Sequence, residues 1–247
     1  MNKQLKTLLV IWCLVVAYGQ GLLAKDLTVV YHQDQKEVQV KNFNTVLAGG
    51  PIQVIITLGT KESLSFEGDK EAIASLVGEV KGSALIIRPE MSWSSWAQKY
   101  KGKTIIAHVT AKSIHALSLS GNGEILVKGT LDDDELSINL SGSGVVRANI
   151  NCNMLTAVLS GSGKLKLNGD ADAAKVTISG SASLGSDKRL NITHLNAVIS
   201  GSGNIRVHSE GSIKAFVSGT GKVYYTGKAD VSEKVLMGRG GVEQVQE

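Results

Sequence analysis

Aliphatic and polar residues alternate in short runs along the second half of the chain, and a glycine-containing phrase separates each run from the next. The residue directly before each phrase is aliphatic: Leu119, Leu140, Leu159, Ile178, Ile199 and Val217. Past the glycines, each following run carries another aliphatic residue in a fixed place: Ile125, Val146, Leu165, Leu184, Ile205 and Val223. A period of two on both sides of the phrase predicts β-strands rather than helices.

The phrase itself repeats six times, five times as Ser-Gly-x-Gly and once as Ser-Gly-Ser-Ala. The copies begin at Ser120, Ser141, Ser160, Ser179, Ser200 and Ser218, in steps of 21, 19, 19, 21 and 18 residues. A seventh, degraded copy has Met237 on the serine position and Gly238 and Gly240 on the glycine positions. Repeats of this period predict a solenoid in which each repeat is one turn. We therefore predict an all-β, single-stranded parallel β-helix with coils of about 19–20 residues, right-handed as parallel connections usually are.

The phrase glycines are expected at the corners of the coils, where the chain needs a left-handed backbone or a close backbone approach. These predicted structural corners are Gly121, Gly123, Gly142, Gly144, Gly161, Gly163, Gly180, Gly201, Gly203, Gly219 and Gly221. The phrase serines should stack in one column. A valine at Gly161 is expected to destabilise the protein more than a valine at Gly240 in the degraded copy.

The first half of the chain has strand-like runs but lacks the phrase. The runs are 27–31, 37–40, 52–58, 63–66, 84–87 and 104–109, and only 71–77 has a helix-like composition. Ala48, Gly49 and Gly50 resemble a degenerate phrase. These patterns divide the chain into a leader at 1–24, a less regular β region at 25–110 continuous with the solenoid, and the repeat β-helix at 111–247.

The leader has the features of a secretory signal. Lys3 and Lys6 precede a short apolar run at 8–17. Two candidate cleavage sites that end in a small residue follow, at 17–19 and 22–24, and cleavage is expected after Gly19 or after Ala24. The apolar run is shorter than the roughly 20 residues of a spanning helix. We expect export to the periplasm or the cell surface and no transmembrane segment in the mature chain.

Charge and cysteine content narrow the choice of partners. Loss of Lys3 and Lys6 with the leader takes the net charge from +4 to +2, which is too weak and scattered to predict binding of nucleic acid. Cys152 is then alone and is expected to be a buried apolar filler. The histidines lack zinc spacing, and the acids at 132–135 lack the glycine-spaced pattern of a calcium loop, which favours a solvated turn. No cofactor is expected.

No catalytic constellation emerges from the pattern. The carboxylates form no consistent column in the repeat, and six serines at equivalent corners indicate architecture rather than one nucleophile. We predict that the protein is not an enzyme. The alternative is a carbohydrate-active enzyme, a polysaccharide lyase or hydrolase, that uses a groove of the β-helix.

One segment breaks the pattern, because residues 88–103 concentrate Trp93, Trp96 and Tyr100 in a chain with 4% aromatic residues. As an exposed loop, these rings could stack on sugars or anchor a partner. The other interpretation, which we favour, is a loop folded over the β-helix with its indoles buried. The three aromatic residues are the candidate binding residues, and glycans or cell-envelope proteins are the candidate partners.

The Ser-Gly-Ser-Gly phrases in phase with strand alternation, the leader, the run LAGGPIQVIITLG at 47–59 and the tryptophan segment before the repeats together resemble the head GIN domain family. This family of auto-transporter adhesins is common in Bacteroidetes, and the resemblance covers about residues 40–245. It implies an exported single-chain β-helix without established catalytic residues. The expected function is a non-enzymatic adhesion or binding scaffold at the cell envelope.

Overall fold

A computed structural model describes residues 34–246, and 68% of the structure is strand and 6% is helix, in a β-solenoid of about seven turns. The predicted leader at 1–24 and the predicted strand at 27–31 lie outside the described residues. The predicted fold class is confirmed.

The repeat region contributes eleven strands. They are β8 (Ala116–Gly121), β9 (Glu124–Gly142), β10 (Val145–Gly161), β11 (Lys164–Gly180), β12 (Ser183–Gly185), β13 (Leu190–Gly201), β14 (Asn204–His208), β15 (Ser212–Gly219), β16 (Lys222–Thr226), β17 (Asp230–Gly238) and β18 (Gly241–Gln244). All pairings among them are parallel, so each coil is hydrogen-bonded to the coils before and after it.

The repeated phrases set the register of these pairings. Ser120 pairs with Ser141, and the same column continues through the serines at 160, 179, 200 and 218 to Met237. The register shows that the degraded seventh copy occupies the same corner as the six regular copies.

The core consists of the inward columns of this ladder. The aliphatic residues directly before the phrase, from Leu119 to Val217, and those after it, from Ile125 to Val223, are all buried. Leu236 continues the first column in the last coil but is 38% exposed, because no described coil covers it. Stacking therefore supplies the burial that a single coil cannot provide.

The N-terminal part is built from seven strands and two short helices. They are β1 (Asp34–Val38), β2 (Thr45–Gly49), β3 (Gln53–Leu58), β4 (Ser63–Gly68), α1 (Lys70–Ala74), β5 (Leu76–Lys81), β6 (Ala84–Pro89), α2 (Trp93–Lys99) and β7 (Ile106–Ala111). β2 and β3 pair in parallel with β8 and β9 of the repeats, and also with β6 and β7. Gly49 pairs with Ser120, which confirms the degenerate phrase at this corner.

Antiparallel strands make this end of the solenoid irregular. β1 pairs with β4, β4 pairs with β7, and β5 pairs with β6, each in antiparallel orientation. The predicted helix at 71–77 is shorter than expected: it is α1, which the Asp69 carboxylate caps by accepting a hydrogen bond from the Ala72 N–H at 3.2 Å. The following residues enter β5 instead of extending the helix.

The aromatic segment is not a loop, and the sequence prediction was wrong on this point. Residues 93–99 form α2, which lies between β6 and β7 at the corner where neighbouring coils carry the glycine phrase. Trp96 and Tyr100 are four residues apart, a spacing that places two side chains on one helix face. Their ring centroids are 5.2 Å apart.

Candidate functional site

The three aromatic residues predicted as a binding site do not form one exposed platform. Trp96 is 1% exposed, and its indole N–H donates a hydrogen bond to Ser75 Oγ at 2.9 Å, beside the end of α1. Tyr100 is partly buried and packs against the core. Trp93, in contrast, is 50% exposed. The expectation of buried indoles therefore describes Trp96 but not Trp93, and Trp93 remains the candidate contact residue of this helix.

The phrase glycines form a continuous corner along the solenoid. The first glycine of each phrase has a left-handed backbone, as shown by φ values of 110° at Gly142 and 103° at Gly161. A Cβ on Gly161 would lie 2.5 Å from the carbonyl oxygen of Gly142 in the preceding coil. The Gly121 carbonyl accepts hydrogen bonds from the N–H groups of Ser143 and Gly144, both at 2.9 Å. The left-handed backbone and the close approach agree with the predicted structural role of the corner glycines, and that role stays a prediction.

Acidic side chains are held by partners in neighbouring coils. Asp132 and Asp134 accept hydrogen bonds from the amides of Asn151 and Asn153 at 2.9 and 2.8 Å. The acidic run at 132–135 lies within β9, so its interpretation as a turn was wrong. Within residues 34–246, no group of three or more His, Cys, Asp or Glu side chains could hold a metal ion.

Cys152 is buried in β10, where its ladder partners are Asp133 and Ala171. Burial, together with the charges of the Asp133 and Asp172 carboxylates, raises the pKa of the Cys152 thiol to about 11. The thiol is therefore protonated at neutral pH, which is the unreactive form.

We expect this thiol to be inert in the folded protein. A pKa of about 11 leaves roughly 0.1% thiolate at pH 8, compared with about a quarter for an ordinary cysteine. In a Cys13→Ser variant, a disulfide reagent at pH 8 should modify Cys152 about 100-fold more slowly than in urea-unfolded protein. Equal rates in the folded and unfolded protein would contradict the burial of this thiol.

A groove on the surface that follows the glycine phrase was not predicted. Lys164 and Lys166 of β11 pair with Ser183 and Gly185 of β12. The two long outward side chains of one coil therefore lie next to a short side chain and a glycine in the following coil. A Cβ built on Gly185 would have no heavy atom within 4 Å. The resulting recess has a volume of about 420 Å³.

A second recess adjoins the first, and Arg206 and Ser186 line both. The second recess has a volume of about 380 Å³ and is also lined by Lys188, Arg189 and Thr226. We call the two recesses together the post-motif groove. Its sequence signal was available: Gly185 aligns with Lys166, and Ser186 stands where Leu167 and Val207 stand in neighbouring coils.

The one carboxylate that lines the groove is already engaged. Asp187 accepts hydrogen bonds from Lys166 Nζ at 2.5 Å and Arg147 Nη1 at 3.0 Å. The hydrogen bond from Lys166, together with the charges of Lys166 and Arg147, holds the pKa of the Asp187 carboxyl below its ordinary value. The carboxylate therefore stays ionised at neutral pH, and its charge is compensated within the groove wall.

Arg206 lines both recesses and contacts an aromatic ring. Its guanidinium carbon lies 5.0 Å from the centroid of the Tyr224 ring, within the distance of a cation–π interaction. Lys222 Nζ lies 5.9 Å from the same centroid. Arg206 and Tyr224 are ladder partners in β14 and β16, so the register of the strands creates this contact.

Comparison with known proteins gives one family and several related structures. The sequence profile of the family described as "Putative auto-transporter adhesin, head GIN domain" matches residues 42–229. The crystal structure of a "putative adhesin" from Bacteroides fragilis is 24% identical, has a TM-score of 0.75, and covers 87% of this chain and 98% of its own. No functionally curated protein matches the chain.

Two Parabacteroides structures share the same fold. A "putative lipid binding protein" from Parabacteroides distasonis is 20% identical, with a TM-score of 0.67 and coverage of 87% of this chain and 97% of its own. A "putative adhesin" from Parabacteroides merdae is 20% identical, with a TM-score of 0.64 and coverage of 87% and 96%. In the described part of this chain, no helix is long and apolar enough to cross a membrane.

Proposed function

This chain belongs to the head GIN domain family, and on that basis we propose that it is an exported, non-enzymatic binding or adhesion scaffold of the cell envelope. The predicted leader at 1–24 supports export, and it gives the periplasm or the cell surface as the location. The adhesin names of the related structures agree with a binding role.

The observation that carries the proposal is the bonding between polar side chains on the surface of the solenoid. Side chains from successive coils stand in register, and several outward carboxylates are bonded to another coil, as Asp170 is to the Asn191 amide at 2.7 Å. Glu124 is likewise bonded to Arg147 Nε at 3.0 Å. A rigid, repeated surface of this kind suits the recognition of an extended partner. Carboxylates engaged in this way are poorly placed to act as a pair of acid and base.

Lipid binding is a second candidate, favoured by one further recess. A surface groove of about 470 Å³ crosses β10, β11, β13 and β15 and is lined by Met154, Ala173 and Leu195. Met154 is 40% exposed. Lys175 and Lys214 also line this groove and lie in one column of the ladder, so both ammonium groups are on the same side. Apolar side chains beside two ammonium groups suit an anionic amphiphile, in agreement with the name of one related structure.

Both aspects of the proposal can be tested with the full chain. In a Gram-negative host, we expect the protein in the envelope fractions with a mass that corresponds to cleavage after Gly19 or Ala24. The purified protein should bind to a glycan array or to a lipid array and should leave polysaccharides intact in lyase and hydrolase assays. Binding to the lipid array alone would favour the second candidate.

Two results would contradict the proposal. Retention of the uncleaved chain in the cytosol would exclude export. A fall in the chain length of any polysaccharide, seen by chromatography, would favour the carbohydrate-active enzyme over the scaffold.

A further inference from the structure

The post-motif groove has an excess of positive charge. Four cationic side chains carry this excess, namely Lys164, Lys166, Lys188 and Arg206, against one lining carboxylate, that of Asp187. Arg189 also lines the second recess, but it contacts His208 and is not counted in the excess. Because Asp187 is bonded to Lys166 and to Arg147, it does not compensate the charges of Lys164 and Arg206. The uncompensated positive charge attracts anions, so the groove favours a ligand that carries negative charge.

The shape of the groove indicates a ligand with repeated units. Each recess, at about 420 and 380 Å³, lies within the roughly 300–1,000 Å³ of small-molecule sites. Arg206 lines both recesses, and its guanidinium carbon lies 5.0 Å from the centroid of the Tyr224 ring. The planar guanidinium fork matches the two oxygens of a carboxylate or a sulfate. One anionic group at Arg206 with a unit of the ligand on either side would occupy both recesses.

The polar lining distinguishes among anionic polymers. Ser183, Asn204 and Thr226 offer hydroxyl and amide groups that can bond to sugar hydroxyls. Proteins that bind single-stranded nucleic acid use exposed aromatic side chains on which the bases stack. The rings that line the two recesses are those of Tyr224 and His208. Arg206 and Lys222 lie near the ring of Tyr224, and His208 is hydrogen-bonded to Thr226, so neither ring is an open stacking face.

We propose that the post-motif groove binds a segment of an acidic polysaccharide, with a carboxylate or sulfate at Arg206 and Lys164. The proposal rests on the proposed function as a binding scaffold, and it names the class of ligand and the site. Ser183 and Gly185 create the space, and the register of β11, β12 and β14 places the cations around it.

Gly185 permits a test that fills the groove without disturbing the fold. Its backbone is not left-handed and a Cβ there meets no atom, so Gly185→Gln and Gly185→Glu should keep the wild-type melting temperature. The probes are polygalacturonate as the carboxylated polysaccharide, dextran sulfate as the sulfated one, and neutral dextran, each titrated against the full chain. We expect binding of an acidic probe and none of dextran.

The variants should separate site binding from general attraction. Gly185→Gln should weaken binding by filling space, and Gly185→Glu should weaken it further by repulsion. Arg206→Gln and Lys164→Gln should each lower the affinity about tenfold. The matched controls Arg239→Gln and Lys101→Gln remove the same charges from exposed positions outside the groove and should change the affinity less than twofold. The probe that binds more tightly identifies carboxylate or sulfate as the group recognised.

Each of the following outcomes would overturn the proposal. Equal losses for Arg206→Gln and Arg239→Gln would show attraction by net charge alone, as would equal affinity for duplex DNA. Unchanged affinity of Gly185→Glu would place the ligand elsewhere. If the protein binds neither acidic probe but still attaches to cell envelopes, the proposed ligand is wrong and the scaffold function stands. If the protein neither binds the probes nor attaches to cell envelopes, the proposed ligand and the scaffold function are both wrong.

Discussion

Replacement of Trp96 by alanine should lower the free energy of unfolding by about 3–5 kcal/mol, the usual cost of removing a fully buried aromatic side chain. Trp96 is 1% exposed and lies on α2 at the irregular end of the solenoid. The variant also leaves Ser75 Oγ without the indole N–H, and Tyr100 without its aromatic neighbour. Urea denaturation followed by circular dichroism measures the loss.

Trp93→Ala is the matched control, because the same side chain is removed from the same helix at a site that is 50% exposed. We expect a change within about 0.5 kcal/mol. In a Trp12→Phe background, the Trp96→Phe variant should show a red-shifted, readily quenched emission from Trp93. The Trp93→Phe variant should show a blue-shifted, protected emission from Trp96. Similar stability losses for the two alanine variants would contradict the finding that Trp96 is buried while Trp93 is exposed.

The repeat part of the fold could be predicted from the sequence because burial in a stacked coil follows strand alternation directly. Inward positions near the phrase, such as Leu140, pair with the equivalent residue one repeat away, so the aligned phrase sets the register around each corner. The register shifts at two places away from the phrase, between Arg147 and Asn149 and between Ser212 and Lys214, and the phrase did not predict these shifts. Glycine at equivalent positions marks the corners. These signals are local and recur, and the pairing they imply around the corners is the pairing observed.

The N-terminal part could not be predicted in the same way. β2 and β3 pair with β8 and β9 along one edge and with β6 and β7 along the other. The order of these coils in the stack therefore differs from their order in the chain. No phrase marks this arrangement, and contacts distant in sequence decide it. The helix α2 was missed because seven residues, about two turns, are too few to show a distinct period. The hydrogen bond from Trp96 to Ser75 joins residues 21 positions apart, and the local sequence pattern does not reveal it.

The candidate site was missed for a related reason. Aromatic side chains were taken as the signal for recognition, whereas the post-motif groove arises where side chains are lacking, at Ser183 and Gly185. A gap of this kind is visible only after the outward columns of several coils are aligned. Lys166, Gly185 and Arg206 then appear as one column with an empty place in the middle.

The second large effect is expected at the corner of a central coil, where Gly161→Val should destabilise the protein by about 2–6 kcal/mol. A β-branched residue is strained at a φ of 103°, at a cost of about 1–3 kcal/mol. The added carbon would also lie 2.5 Å from the Gly142 carbonyl oxygen, and overpacking adds about 1–3 kcal/mol. That oxygen accepts the Ser162 N–H at 2.8 Å, so a shift of the corner weakens the contact between the two coils.

Two further glycines separate these causes. Gly82 has a φ of 62° but open space around a Cβ, so Gly82→Val should show the backbone strain alone, about 1–2 kcal/mol. Gly185 has open space and no left-handed backbone, so Gly185→Val should be nearly neutral. Gly240 is not a neutral control, since a Cβ there would meet the Gly221 carbonyl oxygen. Thermal unfolding should rank the melting temperatures as Gly185→Val, Gly82→Val and Gly161→Val from highest to lowest, and a Gly161→Val protein as stable as Gly82→Val would mean that the corner yields without breaking the contact between coils.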